Sequence, residues 1–299
     1  CVVMGHVQDM EGRKMSKHLG NVVSPWDVLD KQGADAVRWY FYASSMPWLP
    51  CRFSGDAVSE MQRKFMGTLW NTYAFYVLYA DIDKFDPTKY RLEDCKLSEM
   101  DAWVLSRLNT LVKTVDENLA AFRITESARA MQDFVDELSN WYVRRCRERY
   151  WGGEETPDKV AAYMTLYTVL ETMARLSAPF TPFMAEQIYQ NIVRTVDKDA
   201  PLSVHLTSFP AADTRRIDPA LEENMARVLG IVTLGRAARN ASSMKIRQPL
   251  AAMYVQGEAM PVEFSDIIAD ELNIKKVSFI EDVSAYTNYS FKPQLRTVG

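Results

Sequence analysis

Apolar residues recur along most of this chain at every third or fourth position, and proline and glycine break the runs. From Ser54 to Asp81 the positions Val58, Met61, Phe65, Leu69, Phe75 and Tyr79 follow helical steps with one slip near Thr72, which predicts a long amphipathic helix. Leu97-Ser98-Glu99-Met100-Asp101 offers a capping box, and the stripe Leu105, Leu108, Val112, Val115 and Leu119 predicts a second helix behind it. A third, capped by Thr125, carries Ala128, Met131, Val135, Leu138 and Tyr142 and ends at Gly152-Gly153. Thr156-Pro157-Asp158 opens a fourth that runs to about Ala178, and Pro179-Phe180-Thr181-Pro182 separates it from a fifth with Met184, Ile188 and Ile192. Five such helices with short connections predict an antiparallel bundle.

The flanks differ from the bundle. Residues 1–8 are strand-like, and the apolar run Cys1-Val2-Val3-Met4 reads as a strand belonging to something larger. Asp9-Met10-Glu11-Gly12 supplies a turn, so a hairpin should lead into a basic, glycine-bearing loop. Ser24-Pro25 then starts a short helix over Trp26 to Lys31 ended by Gly33, and a helix over Ala34 to Ala43 follows. Pro47 and Pro50 mark residues 45–53 as a linker and first boundary. Beyond the bundle, Asp199 to Arg216 is extended, with a second boundary near 212. A helix starting at Asp218-Pro219 then carries Leu221, Met225, Val228 and Val232 on one side. Strands over Leu250 to Val255 and Lys275 to Ile280 flank a helix over Val262 to Leu272, a small α/β unit. The expected fold is therefore mainly α in three parts: residues 1–50, a helical bundle over 51–212, and 213–299.

Composition narrows the options. With 299 residues, 47% of them hydrophobic and 25% charged, the chain has material for more than one core. Cys1, Cys51, Cys95 and Cys146 lie far apart with no CxxC or Cys/His cluster, which argues against zinc and a disulfide framework and suits a reducing cytosol. No charged leader and no apolar run of about 20 residues appears, so a soluble chain without a membrane partner is expected. The net charge of −4 exerts no global pull on DNA or RNA, and nucleic-acid contact would need a local basic face.

Two stretches carry candidate chemistry. In GRKMSKHLGN, residues 12–21, two lysines flank Met-Ser, and a glycine and asparagine follow. A mobile loop with two ammonium groups, a hydroxyl and free backbone N–H groups can stabilise the charge that develops on a departing polyphosphate. Composition alone favours a solvated charged turn. Between Trp141 and Trp151, Arg144, Arg145, Arg147 and Arg149 face only Glu148, with Tyr142 and Tyr150 interleaved. Helical spacing puts Trp141, Arg144, Arg145 and Glu148 on one side, where a ring and guanidinium groups can meet unstacked bases and phosphates. Arginines ending a helix also simply complement its dipole, and the aromatic residues also fit a core. The basic set Arg236, Arg239, Lys245 and Arg247 reads as solvated surface, and Met61, Phe65, Trp70 and Phe75 as helix packing.

KMSKHLGN resembles the Lys-Met-Ser-Lys-Ser signature loop of class I aminoacyl-tRNA synthetases. VVSPWDVLDKQGADAVRWYFYASSMPWLPCRF, residues 22–53, is similar to their isoleucine, valine and leucine branch. SNWYVRRCRERYW (139–151), APFTPFMAEQIYQN (178–191) and IRQPL (246–250) look most like isoleucyl enzymes. The resemblance implies the end of a nucleotide-binding catalytic domain, then an anticodon-binding bundle, then the α/β unit. Lys14, Met15, Ser16 and Lys17 would form the ATP loop, with Lys14 and Lys17 catalytic and Lys17 the more critical; His18 departs from the commoner serine. Trp141, Arg144, Arg145, Arg147 and Trp151 would face tRNA, while Asp35 and Arg38 would be structural. ATP, Mg²⁺, isoleucine and isoleucine tRNA are the implied cofactors and partners of the parent enzyme. The second ATP signature of the class, His-Ile-Gly-His, does not occur here, so this stretch alone is expected not to form adenylate. Rival readings are a valyl or leucyl enzyme, or a non-catalytic helical tRNA-binding module.

Overall fold

The structure is a computed structural model that describes residues 4–286, so Cys1–Val3 of the expected first strand lie outside the described residues. Helices dominate, and the chain divides into two compact units, Cys1–Ile217 and Asp218–Gly299. No helix among the described residues is long and apolar enough to cross a membrane.

The first unit begins with β1 (Val7–Gln8), which pairs in parallel with β2 (Cys51–Arg52). The backbones come so close that a Cβ on Gly5 would sit 1.9 Å from the Leu49 carbonyl oxygen, which requires glycine there. Residues 45–53, expected as a linker, therefore carry a strand that returns to β1. Gln8 also bridges to Lys14 in antiparallel fashion, the short hairpin that the turn at Asp9 to Gly12 predicts. Helices α1 (Pro25–Gln32) and α2 (Ala34–Ala43) share Gly33 at their corner, where φ is +84°. Val28, Ala36, Tyr40, Phe53 and Val58 form the core beneath them, with Met15 and Val23 packed against it.

The bundle follows. The expected first helix is α3 (Gly55–Gln62), a wide π turn over Arg63–Gly67, and α4 (Thr68–Asp83). The slip in the apolar stripe thus falls before Thr72. Leu69, Thr72, Tyr73 and Tyr76 become the buried face, and Phe75 and Tyr79 sit at its edge. Helix α5 (Glu99–Ala120) starts at the predicted capping box of Ser98 and Asp101. Helix α6 (Ile124–Glu137) continues through a π turn (Leu138–Val143) into the short α7 (Arg144–Cys146) and a 3₁₀ turn over Arg147–Tyr150. Thr125 is not its cap: it lies inside the first turn, and its Oγ1 donates to the Ser45 carbonyl at 3.1 Å. Thr156 caps α8 (Pro157–Ser177), and α9 (Pro182–Tyr189) runs into a third π turn over Gln190–Arg194.

The second unit consists of α10 (Pro219–Ala241), then the parallel strands β3 (Met253–Gln256) and β4 (Val277–Ile280) joined through α11 (Val262–Leu272). Buried Arg239 donates to the carbonyls of Lys245, Gln248, Leu272 and Asn273, so it is internal glue and not the solvated residue expected.

Candidate functional site

The lysine loop is built on Asp9. This buried carboxylate accepts from the backbone N–H groups of Glu11 (3.0 Å) and Arg13 (2.8 Å), from Arg13 Nε (2.9 Å) and from Asn21 Nδ2 (2.9 Å). The Asn21 bond, then the Arg13 backbone and side chain, hold its carboxyl far below the ordinary carboxylate range. Asn21 closes the loop from the other end: Nδ2 also donates to the Lys14 carbonyl (3.2 Å), and Oδ1 accepts from Ser16 N (2.9 Å). Ser16 Oγ caps the 3₁₀ turn Lys17–Leu19, which Gly20 ends at φ +64°.

The consequence is a division of labour among the cations. Arg13 is spent on Asp9 and on Glu11 at 2.9 Å. Lys14 and Lys17 are exposed, and among the described residues no carboxylate pairs with either. Met15 is half-buried against the α1–α2 core, which anchors the loop between the two lysines. The sequence shows Asp9 in a turn and Asn21 at the end of the lysine motif, but not that the two are joined.

The loop's platform is fastened to the helices that follow it. Asp35 Oδ2 accepts from Met184 N at 2.7 Å at the start of α9, and Arg38 donates to the carbonyls of Pro179 (2.7 Å) and Phe180 (3.1 Å). At the other end of α2, Arg129 donates to the carbonyls of Ala43 (3.0 Å) and Ser44 (2.9 Å). Asp35 and Arg38 thus hold structure, as their place in the pattern implies.

The basic-aromatic stretch separates into two sets. Trp141 is only 3% exposed, so no base can stack on it; Arg144 and Arg145 lie over its ring, 5.6 and 5.5 Å from the centroid. Arg149 is withdrawn too. It forms a bidentate pair with Asp101, both contacts 2.8 Å, and its Nε donates to Asp158 at 3.0 Å. Asp101 is fully buried and also receives Tyr142 Oη (2.6 Å) and Ser98 Oγ (2.7 Å). Burial pushes the Asp101 carboxyl up, but the Arg149 guanidinium and these hydroxyls more than offset it and leave it below its usual value. A buried carboxylate with an exposed-looking arginine far along the chain is a structural pair.

Arg144, Arg147 and Trp151 remain exposed, and Arg145 is half-exposed. Trp151 is 51% exposed, with its Nε1 donating to Tyr79 Oη at 3.1 Å. It stands at a cavity of about 530 Å³ between the ends of α4 and α8. Inside, Lys159 is buried and pairs with Asp83 at 2.5 Å, and Tyr163 Oη donates to the same carboxylate oxygen at 2.5 Å.

The chain is similar to known proteins. Over its full length the chain is 56% identical to isoleucine–tRNA ligase of Clostridium acetobutylicum and 55% identical to that of Clostridium novyi, covering 29% of each. Over 94% of its length it is 47% identical to isoleucine–tRNA ligase of Dehalococcoides mccartyi. The chain thus spans under a third of the length of the curated relatives it matches. The LeuRS-tRNA-LeuAMS ternary complex of Agrobacterium radiobacter K84 shares the fold at a TM-score of 0.56 and 21% identity, over 72% of this chain and 24% of that one. Mycobacterium tuberculosis methionyl-tRNA synthetase with methionyl-adenylate does so at 0.52 and 19%, over 68% and 43%. Residues 1–48 match the class I tRNA synthetases for I, L, M and V. Residues 101–254, just over half of the chain, match the anticodon-binding domain of tRNA ligases, and to that family the chain belongs.

Proposed function

We propose that this chain is the part of a cytoplasmic isoleucine–tRNA ligase that carries the ATP-phosphate loop and an antiparallel bundle gripping the anticodon arm, with the α/β unit behind it. Identity above half across the whole chain to relatives of that name supports the amino acid. The observation that carries the loop's role is the Asp9–Asn21 clamp, which folds the backbone while leaving Lys14 and Lys17 unpaired.

In amino-acid activation a carboxylate oxygen of isoleucine attacks the α-phosphorus of ATP, and the bond to the bridging oxygen breaks to release pyrophosphate. Negative charge grows on the departing oxygens. Two ammonium groups on a loop already folded stabilise that charge with little reorganisation. Ser16 and Met15 hold the loop's shape, one by its cap and the other by its packing. Mg²⁺ would enter with the nucleotide. Arg144, Arg145 and Arg147 would meet tRNA phosphates, with Trp141 bracing the first two from beneath. The 299 residues contain no His-Ile-Gly-His and are not expected to activate isoleucine without the remainder of the parent.

The test is isoleucine-dependent pyrophosphate exchange by the parent ligase. Lys14→Ala and Lys17→Ala should each lower the rate by about 10²- to 10³-fold, with Lys17 the more damaging. Unchanged activation in both would overturn the assignment, and faster charging with valine or leucine than with isoleucine would reassign the substrate.

A further inference from the structure

A third cation stands beside the lysine loop, and it comes from β2. Gln8 pairs in register with Arg52 on one side and bridges to Lys14 on the other, so Arg52, Gln8 and Lys14 form one row across three adjacent segments. Residues in such a row send their side chains to the same face, and segments about 4.8 Å apart place the backbones of the two cations about 10 Å from each other. Their sequence neighbours fix which face it is: Met15 and Cys51 pack on the α1–α2 core, which leaves Lys14 and Arg52 on the opposite side. The two strands run parallel, so their carboxyl ends open on the edge that carries the loop, the edge at which parallel sheets bind ligands.

The guanidinium leans onto the turn that opens the loop. A Cβ added to Gly12 would lie 3.6 Å from Arg52 Nη2, 3.7 Å from its Nε and 3.9 Å from Gln8 Oε1. The backbone there is fixed on both sides. Cys51 N donates to the His6 carbonyl and Phe53 N to the Gln8 carbonyl, both at 2.9 Å, and the buried Tyr40 hydroxyl donates to the Arg52 carbonyl. The Arg52 side chain is exposed, and among the described residues no carboxylate pairs with it; the acids of the turn, Asp9 and Glu11, are held by Arg13. Two unpaired cations on one face call for an anion with oxygens at both ends. A polyphosphate has them on successive phosphorus atoms, and the planar guanidinium fork matches a phosphate bidentately.

We propose that Arg52 binds the terminal phosphates of ATP, across Gln8 from Lys14, and serves nucleotide binding and not the chemical step. The inference rests on the activation reading above and adds a residue to it. Arg52 sits on a strand pinned to the core and meets the same phosphates before and during attack on the α-phosphorus, so it stabilises ground and transition states alike.

Equilibrium dialysis of labelled ATP and AMP against the parent ligase tests it. Arg52→Gln should weaken ATP about 10-fold, the effect of one hydrogen bond to a charged group, and leave AMP unchanged, since AMP lacks the phosphates concerned. Arg52→Lys, which keeps the charge and loses the fork, should fall between Arg52→Gln and the unaltered enzyme. In pyrophosphate exchange the KM for ATP should rise with the dissociation constant while kcat holds. Equal weakening of AMP, or a lower kcat at unchanged KM, overturns the assignment. So does a rise confined to the KM for isoleucine tRNA in charging, which would put Arg52 on an RNA phosphate. If ATP binding ignores both Arg52 variants while Lys14→Ala and Lys17→Ala still slow exchange, this assignment fails and the loop reading stands. If all four variants behave like the unaltered enzyme, both fail.

Discussion

Asn21 joins the two ends of the lysine loop to Asp9, with Nδ2 donating to Asp9 Oδ2 at 2.9 Å while Oδ1 of the same amide accepts Ser16 N at 2.9 Å. Neither residue carries the charge that would act on a polyphosphate. Their work is to hold a backbone on which Lys14 and Lys17 stand apart, since Arg13 has already taken the nearby carboxylates.

Asn21→Ala in the parent ligase should therefore lower isoleucine activation on the order of 10²-fold, the scale of a displaced catalytic group. The tRNA affinity should not change, because the clamp belongs to the loop before α1 and the basic turn follows α6. Equal loss in pyrophosphate exchange and in tRNA binding would show a general fold defect instead.

The pair of Asp101 and Arg149 predicts a stability effect. Asp101→Asn leaves a buried guanidinium with one exposed carboxylate, Asp158, and should cost about 3–5 kcal/mol in urea unfolding. The sign of the pH dependence follows from the lowered carboxyl of Asp101. A group whose folded value lies below its unfolded value, 3.8, stabilises above that value and loses its contribution as acid protonates it. The midpoint of thermal unfolding should hold steady through neutral pH and fall below about pH 4, with a shallower fall in Asp101→Asn. An equally steep fall in both proteins would remove Asp101 from the account.

Local chemistry was readable in advance, and distant pairing was not. Ser98 and Asp101 announce a capping box because both partners lie within one turn, and the span of α11 followed from its own residues. Arg149 reaches its partner across 48 residues, and in a run of arginines it looks like all the others. Burial separates them: the cation that meets a fully buried carboxylate stays inside. The π turn at Arg63–Gly67 misplaced the apolar stripe of α4 for a related reason, since an extra residue in one turn leaves no mark in composition and shifts every later position. In the lysine loop the charged residues were legible and their scaffold was not, because Asp9 and Asn21 read as ordinary turn residues.

The same separation fixes a number for RNA binding. Four arginines on single-strand phosphates would give log affinity against log salt a slope of about −3, at roughly 0.7 per contact. With Arg149 committed to Asp101 and Asp158, the patch has one phosphate contact fewer, and the slope assigned to it should be about −2. Arg144→Ala and Arg147→Ala should each flatten the measured slope for isoleucine tRNA by about 0.7 and weaken binding at low salt. Arg149→Met should leave the slope where it is while lowering the unfolding midpoint, because its charge is already neutralised inside the protein. A slope that drops on Arg149→Met and ignores Arg147→Ala would reverse the roles given to the two residues.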